Sequence, residues 1–410
     1  MKKISLLAIA ALTVFSASAQ KDVVKAAERA YKASDEPAAE VIKIITPALS
    51  DPETKDQADT WFFPGAASFK NYDHLLGLKQ FGKLPENGNT TMGQNLIDGY
   101  NYFVKALPLD SLPDEKGKVK PKRSKSIMGT FIGHMGDYVN MGVELYQAGD
   151  YGRAYEVWKI FGTLPQYPDV KKGLNKDMLP DSLFAEIAFN EALAAWQNEN
   201  LEGALAAFTK AKNLGYKKKS LYDNAIAVAS QLKNDQALLT FAEEAIPLYG
   251  KDDPMYIGQV ANYYLTNKQL DKAFDVINKA IELDPENAQY YVIRGVLYEN
   301  RETSPEMKAL AKADYEKAMG LDAKNAQAVF NYGRMIYDEA LTLADAAPTR
   351  QDEYQTYYTE KLRPLYLQAA EVIENAYNLN PDNTDTLRYL ETIYYQLNDE
   401  AKLNDVKARK

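Results

Sequence analysis

The chain has 410 residues, of which 46% are hydrophobic and 26% charged, as in an ordinary folded soluble protein. That length exceeds what one compact core supports, so several domains or a row of repeats are expected. The formal net charge of −9 argues against nucleic acid as a partner. Cysteine is absent, which excludes disulfides, thiolate nucleophiles, cysteine-based metal sites and the lipid-bearing cysteine of bacterial lipoproteins.

The N-terminus carries the pattern of a secretory signal peptide. Two lysines precede a mostly apolar run at residues 4–15, and Ala17 and Ala19 supply the small residues that a signal peptidase requires. The run is too short to span a membrane, and no later stretch approaches the roughly 20 apolar residues that a span needs. We expect residues 1–19 to be removed, leaving a periplasmic protein that begins at Gln20 and is not a lipoprotein. Loss of the two lysines changes the net charge from −9 to −11.

Residues 253–285 contain the clearest internal repeat. They predict two short amphipathic helices joined by a polar turn at Asn267 and Lys268, and Pro285 ends the stretch. The first helix carries a small residue, Ala261. The second helix has small or apolar residues at spacings of four and three, which places them on one face: Ala273, Ile277 and Ala280.

Related copies of this pattern occur along the chain. Gly142 lies on one predicted helix and Trp158 on the next, with a Gly-Asp-Tyr turn at residues 149–151 between them. Gly295 follows Ala261, the matching small residue, by 34 residues. The pattern resembles the tetratricopeptide repeat (TPR), whose signature is about 34 residues long. Such a unit cannot bury its own apolar face and must stack on its neighbours.

The resemblance implies an all-α solenoid of about eight TPR-like helix-turn-helix units with insertions and a C-terminal pair of capping helices. Strand signals are almost absent. Insertions are expected at residues 77–91, 165–180 and 338–365. The expected organisation is a signal peptide at 1–19, degenerate helical pairs with an insertion and a basic loop at 20–125, units with an aromatic groove at 126–252, the clearest units at 253–382, and capping helices at 383–410.

The chain gives little support for catalysis. His74 and His134 are its two histidines, and they fall on separate units without an adjacent carboxylate pattern, so neither a histidine triad nor a zinc cluster is expected. No phosphate-cradling glycine motif occurs, and residues 380–391 lack the central glycine of a calcium loop. A glycosidase-like pair of carboxylates stays open, because one sequence does not show which acids meet in space. We expect a protein that is not an enzyme and has no cofactor or metal.

The resemblance also implies a concave groove formed by the first helix of each unit. Carrying the repeat register across gives nine candidate partner-binding residues, apolar and aromatic in the N-terminal half and mixed toward the C-terminus: Val139, Val143, Tyr146, Phe189, Leu193, Trp196, Phe330, Arg334 and Tyr337. Packing inside the solenoid is the alternative for each aromatic residue. Only Arg334 occupies a place like those of the cations that clamp a C-terminal carboxylate in some TPR proteins, so that clamp is not expected. The groove face of the clearest repeat, at Gly258, Asn262 and Leu265, is small, so specificity is expected elsewhere.

Two further features stand apart from the repeats. Six basic residues fall between Lys116 and Lys125, which we call the basic stretch; a solvated loop is the simpler interpretation, and contact with an acidic surface is the other. The triplets at residues 110–112, 181–183 and 385–387 resemble an O-glycosylation acceptor pattern and also suit helix N-caps.

The sequence therefore predicts a non-catalytic periplasmic scaffold or adaptor. Its groove is expected to hold a peptide or helix of another cell-envelope protein, with aromatic residues as anchors. A glycan-binding accessory protein of the cell envelope is the alternative, because the chain has 29 tyrosines and aromatic rings stack on sugars.

Overall fold

A computed structural model describes residues 21–33, 38–113, 116–174, 177, 179–301 and 304–410. The predicted signal peptide lies outside these residues. The described chain is mostly helical, with short 3₁₀ turns at Thr46–Leu49 and Leu164–Gln166 and a π-helical turn at Tyr358–Leu362. The α-helices are α1 (21–32), α2 (Ala38–Ile45), α3 (Ala58–Gln80), α4 (Gly88–Asp110), α5 (Ser124–Gly133), α6 (Met135–Gln147), α7 (Tyr151–Thr163), α8 (Pro168–Gly173), α9 (Asp181–Gln197), α10 (Leu201–Asn213), α11 (Lys219–Gln231), α12 (Asp235–Tyr249), α13 (Met255–Thr266), α14 (Leu270–Leu283), α15 (Ala288–Arg301), α16 (Pro305–Leu321), α17 (Ala326–Asp345), α18 (Gln351–Tyr357), α19 (Arg363–Leu379), α20 (Thr384–Gln396) and α21 (Glu400–Arg409).

Helices pack in pairs, and the pairs stack on one another. The best-packed pairs are α3 with α4, α9 with α10, α15 with α16 and α17 with α19. Among the described residues there is no strand, only an isolated antiparallel bridge between Pro113 and Val119. The all-α repeat architecture predicted from the sequence is confirmed. In the same residues, no helix combines the length and apolarity needed to cross a membrane.

The chain divides into two compact units between Lys233 and Asn234. We call them the N-terminal unit, which ends with α11, and the C-terminal unit, which begins with α12. The sequence-based segments 126–252 and 253–382 meet one helix later than this division. Each unit is described separately below.

A glycine facing a large side chain recurs where paired helices cross. A Cβ atom at Gly142 of α6 would lie 2.2 Å from Nε1 of Trp158 in α7, and one at Gly295 of α15 would lie 2.6 Å from the ring of Tyr315 in α16. Cβ atoms do not approach other atoms so closely, so these helices pack at a distance that only glycine allows. The same arrangement sets Gly65 against Phe103 and Gly333 against Ile373. The small and bulky residues that mark the repeats in the sequence are thus the two sides of each crossing.

The turn between the two helices of a repeat has a recurring backbone. The residue near the end of the first helix adopts a left-handed conformation, with φ from 54° to 78°, at Gly149, Glu199, Lys233, Lys268 and Asn398. The next residue then caps the second helix. The side chains of Asp150, Asn200 and Asn234 each accept the backbone N–H three residues further on. A short polar pair of residues therefore determines where each helix pair folds back.

All three expected insertions are partly helical, and the one predicted at 165–180 contains α8. Helix α3 continues through Gly77 to Gln80, so the loop before α4 is shorter than the insertion predicted at 77–91. The apolar residues on either side of Gly77 keep the helix packed, and a side chain at position 77 would point into open space. The insertion predicted at 338–365 begins as an extension of α17 to Asp345 and continues as α18 and the π-helical turn. The capping helices α20 and α21 lie where the sequence predicts them.

Candidate binding grooves

A cavity of about 410 Å³ lies in the N-terminal unit beside α3, α4 and α6, and we call it the N-terminal groove. One predicted groove residue, Val143 of α6, lines it and is 38% exposed. The half-buried Leu76 adds apolar surface there, whereas Met92 and Met141 lie beneath the lining as core residues, 0% and 2% exposed. The remaining lining residues are Tyr72, Lys79, Gln80, Asp137, Asn140 and Glu144. An exposed apolar side chain on a first helix is the kind of surface that the sequence predicts for partner binding.

Charged residues at the edge of the N-terminal groove pair with one another. Lys79 forms an ion pair with Glu144 and also donates a hydrogen bond to Asn89 Oδ1 at 3.1 Å. Asp137 lies 2.8 Å from Nδ1 of His134. Burial, with a contribution from Asp137, raises the pKa of the Tyr72 hydroxyl far above its ordinary value. Since these charges are matched within the groove, its apolar residues are what it offers to a partner.

His134 has a structural position. It lies between α5 and α6, and its ring stacks on Phe69 with centroids 4.8 Å apart and meets Tyr72 edge-on at 5.6 Å. Its Nε2 lies 3.9 Å from Asp73. Among the described residues, no group of three or more histidine, cysteine, aspartate or glutamate side chains is placed to hold a metal ion.

The other predicted groove residues of α6 contribute mainly to packing. The half-buried Val139 accepts a hydrogen bond at its carbonyl from Nε1 of Trp158 at 3.2 Å. The half-buried Tyr146 meets Tyr151 edge-on at 5.0 Å and lies 5.9 Å from the Trp158 ring. Of the three predicted groove residues on this helix, Val143 is therefore the one that is exposed.

Helix α9 divides its predicted groove residues between core and surface. Phe189 is only 8% exposed, and its ring stacks on Tyr216 with centroids 4.5 Å apart. It belongs to the core, so we remove it from the candidate surface. Leu193 and Trp196 are half-buried, and Trp196 Nε1 donates to Gln231 Oε1 of α11 at 3.4 Å. These two residues of a first helix therefore keep part of their surface exposed to solvent.

The predicted groove residues of α17 are already engaged within the C-terminal unit. Arg334 donates two hydrogen bonds to the Glu299 carboxylate, at 2.6 and 2.7 Å, and one to Asp338 at 3.2 Å. Tyr337 is 6% exposed, so it too is removed from the candidate surface. Phe330 is half-buried against a neighbouring tyrosine ring at 5.6 Å. Because Arg334 is paired with two carboxylates, it is poorly suited to bind a partner's carboxylate.

A larger cavity of about 850 Å³ lies in the C-terminal unit, and we call it the C-terminal groove. The sequence did not predict it, because small side chains such as Gly258 and Asn262 mark the surface as plain. Small side chains are also what leaves the space open. The lining comes from α13, α15 and the turns before α13, α15 and α17: Asp253, Pro254, Met255, Gly258, Gln259, Asn262, Glu286, Asn287, Ala288, Gln289, Ile293, Asp322 and Asn325.

Carboxylates and amides form the polar lining of the C-terminal groove. Asp253 accepts the backbone N–H of Met255 at 3.0 Å, and Asp322 accepts that of Lys324 at 2.9 Å, so both acids hold the turns that precede α13 and α17. Gln289 donates to Gln327 at 3.2 Å. The lining contains no lysine or arginine. An acidic residue lies in the turn before the first helix of each of three successive repeats. That recurrence is the sequence signal that could have identified this groove.

The basic stretch is fastened to the N-terminal unit at its C-terminal end. The Asp110 carboxylate accepts the backbone N–H groups of Lys122, Arg123 and Ser124 at 2.7 to 2.9 Å, and the Ser124 hydroxyl at 2.7 Å. Burial raises the pKa of Asp110, but these hydrogen bonds outweigh it and hold the pKa below its ordinary value. Arg123 donates to Asp59 at 2.7 Å. Arg123 is therefore committed to the fold.

Two other sequence features, the acceptor-like triplets and the abundance of tyrosine, are explained in part by burial. Thr386 is fully buried and donates to the Asn383 carbonyl at 2.6 Å, so the folded protein does not present it for glycosylation, whereas Ser111 and Ser182 are exposed. Tyrosine is a major component of the interior, which accounts for part of the abundance that suggested glycan binding. Seven tyrosines are among the largest fully buried side chains: Tyr72, Tyr138, Tyr256, Tyr290, Tyr315, Tyr366 and Tyr394.

The helix pairs, the left-handed turn after the first helix and the small residue at each crossing define the class of the protein: both units are stacks of helix-turn-helix repeats that resemble those of tetratricopeptide repeat proteins. No family model matches the chain. The type IV pilus assembly protein PilF of Pseudomonas aeruginosa is 29% identical over 112 residues, which are 27% of this chain and 40% of that relative. The chain thus matches less than half the length of this curated relative.

Solved TPR structures resemble the chain at low sequence identity. The C-terminal part of a TPR repeat-containing protein from Cytophaga hutchinsonii is 12% identical, with 66% of this chain and 93% of that chain covered and a TM-score of 0.39. Yeast Tom70 is 13% identical, with 98% of each chain covered and a TM-score of 0.37. YrrB, described as a TPR protein with an unusual peptide-binding site, is 21% identical, with 47% and 88% covered and a TM-score of 0.31. All three TM-scores are below 0.5, so the assignment rests on the helix pairs of this chain.

Proposed function

We propose that this protein is a non-catalytic scaffold of the bacterial cell envelope that binds a segment of another envelope protein on its first-helix faces. The observation that carries the proposal is the N-terminal groove, where Val143 is exposed beside the half-buried Leu76 and the neighbouring Lys79 and Glu144 are paired with each other. Each repeat buries its apolar faces against the neighbouring repeats in the stack. Apolar surface that stays exposed on a first helix is therefore available to bind a partner.

Export to the periplasm is part of the proposal. The signal-peptide pattern at residues 1–19 supports it, as does the similarity to a Pseudomonas aeruginosa protein named for type IV pilus assembly. Cell fractionation and N-terminal sequencing test this part. The expected result is a mature periplasmic chain beginning at Gln20; a full-length chain in the cytoplasm would contradict it.

Partner binding is tested by placing a photo-crosslinking amino acid at Val143 in cells that produce the protein. We expect a crosslinked partner protein identifiable by mass spectrometry. The matched control carries the same amino acid at Glu202, an exposed position on the second helix α10 of the same unit. Equal crosslinking from both positions, or none from Val143, would overturn the assignment of the groove.

Substitution provides an independent check on the same groove. Val143→Asp places a charge on the exposed apolar surface without removing a core side chain, so we expect partner recovery to fall at least about fivefold, because apolar contacts at such an anchor are worth 1–2 kcal/mol or more. Tyr146 is a poor choice for this test, since it packs on Trp158 and its loss would also weaken the fold.

A further inference from the structure

We propose that the C-terminal groove binds an extended, positively charged peptide segment. This proposal rests on the scaffold function proposed above and names the chemistry of one partner segment. Its basis is the arrangement of carboxylates and amides around the 850 Å³ cavity, which lies wholly within the C-terminal unit.

The three carboxylates of this groove recur with the repeat. Asp253, Glu286 and Asp322 each lie in the turn before a first helix, those of α13, α15 and α17 respectively. Stacking therefore places one carboxylate per repeat along one edge of the groove. A segment that runs across the stacked helices meets these charges in succession, and lysine or arginine side chains match them.

The floor of the groove suits a main chain and the aliphatic part of basic side chains. Gln259, Asn262 and Gln289 present amides, which both donate and accept hydrogen bonds as a peptide backbone requires. Met255 is 42% exposed, and Ile293 adds apolar surface beside it. Lysine and arginine pack their methylene stems on such surface while the charged end reaches the carboxylate edge.

The charge of the whole unit favours the same partner. Residues 234–410 contain 30 acidic and 19 basic residues, a net charge of −11, whereas residues 21–233 contain 27 of each and are neutral. Lys251 and Lys324 occur in the same turns as two of the acids, but neither lines the cavity. The field around the C-terminal unit therefore attracts a cationic segment and disfavours an anionic one.

The test uses the full-length protein and a fluorescein-labelled decapeptide of alternating lysine and serine, with binding followed by fluorescence anisotropy. The groove variant is Asp253→Asn, Glu286→Gln and Asp322→Asn combined. Asparagine keeps the oxygen that accepts the backbone N–H, so the turns at residues 253 and 322 are retained. We expect the variant to bind about tenfold more weakly, since three partly exposed ion pairs contribute about 0.2–1 kcal/mol each.

A charge-matched control separates the groove from the general field. Asp275→Asn, Asp345→Asn and Glu371→Gln remove three exposed acids of the same unit that do not line the cavity. We expect this control to bind within about twofold of the wild type, and a glutamate–serine decapeptide to bind neither. Equal weakening by both triple variants would assign the attraction to net charge and overturn the groove as the site.

Two further outcomes would also overturn the proposal. One is tight binding of the glutamate–serine peptide. The other is salt-sensitive self-association of the protein that disappears when Lys116, Lys118 and Lys120 are replaced by serine, because the occupant would then be the basic stretch of a second copy. The crosslinking at Val143 concerns the other unit, so failure of the peptide test leaves the proposed scaffold function standing, and loss of the Val143 partner leaves the peptide result unchanged.

Discussion

The two units are built from the same repeat, yet they present different grooves. In the N-terminal unit the exposed surface at Val143 is apolar, and the charges beside it are paired, as between Lys79 and Glu144. In the C-terminal unit the groove is wider and carries three carboxylates with no cation in its lining. The net charges agree with this contrast: the described N-terminal unit lies in a neutral segment, and the C-terminal unit carries −11.

The difference shows which positions of a repeat are constrained by the fold. The crossing of Gly142 with Trp158 in one unit matches the crossing of Gly295 with Tyr315 in the other. The edge of the groove, by contrast, comes from turn residues and from exposed positions of the first helices. These positions carry little packing, so their chemistry can differ between units while the helix pairs stay the same.

The largest expected effect tests whether the crossing is common to both units. Gly142→Ala and Gly295→Ala each place a Cβ within 2.6 Å of a side chain that a hydrogen bond holds, Trp158 on a carbonyl and Tyr315 on Glu299. We expect each to lower the free energy of unfolding by about 2–3 kcal/mol through overpacking. Urea denaturation followed by circular dichroism measures it.

The control for this prediction lies on the same helix. A Cβ atom at Gly136 of α6 would meet no atom of another part of the fold within 4 Å, so Gly136→Ala should stabilise the protein by up to about 1 kcal/mol through helix propensity. Similar stabilities for Gly136→Ala and Gly142→Ala would show that the helices are not held at the distance described here. A loss at Gly142 without a loss at Gly295 would mean that the two units pack differently.

A somewhat smaller effect is expected at Asp110, which has no counterpart in the C-terminal groove. Its folded-state pKa is depressed, so its contribution to stability is present above the unfolded pKa of about 3.9 and is lost as the pH falls through the folded pKa. Asp110→Asn should therefore cost about 2 kcal/mol near pH 7 and much less near pH 3. Urea denaturation at both values measures the difference.

The control is Asp56→Asn, an exposed aspartate of the same unit, which should change stability by less than about 0.5 kcal/mol at either pH. A constant cost of Asp110→Asn across the pH range would indicate a loss of packing instead of charged hydrogen bonds. This prediction concerns the fold of the N-terminal unit and leaves both grooves unchanged.

The sequence was sufficient for the repeat but not for the grooves. The spacing of Gly142 and Trp158 has a direct packing cause, so the pairs could be read without coordinates. Phe189 and Tyr337 fall on the predicted first-helix faces but are buried, because whether an aromatic ring reaches solvent depends on the next repeat and its insertions. Arg334 is engaged by Glu299, 35 residues earlier, a contact that no local pattern reveals.

The contrast between the grooves predicts different salt sensitivity. We expect photo-crosslinking from Val143 to change by less than about twofold between low and high salt, because its contacts are apolar. Crosslinking of the lysine–serine peptide from a probe at Asn262 should fall about fivefold over the same range, since partly exposed ion pairs are screened. Quantitative gel densitometry on the purified protein with captured partner measures both. Equal salt dependence at the two positions would remove the distinction between the grooves.

The smallest effect is expected at Glu191, an acid of the N-terminal unit that is buried against Lys210. Burial raises the pKa of the Glu191 carboxyl although Nζ of Lys210 lies 2.8 Å away. Because this pKa is higher in the folded state, the stability that the group contributes is fully present below its unfolded pKa and is lost as the pH rises through the folded pKa. Glu191→Gln removes that loss. We expect it to be neutral near pH 4 and to stabilise the protein by about 0.5 kcal/mol near pH 7, because Lys210 is partly exposed and remains hydrated. The exposed Glu202→Gln should show no such dependence, and a clear destabilisation by Glu191→Gln at pH 7 would mean that the ion pair contributes more than its burial costs.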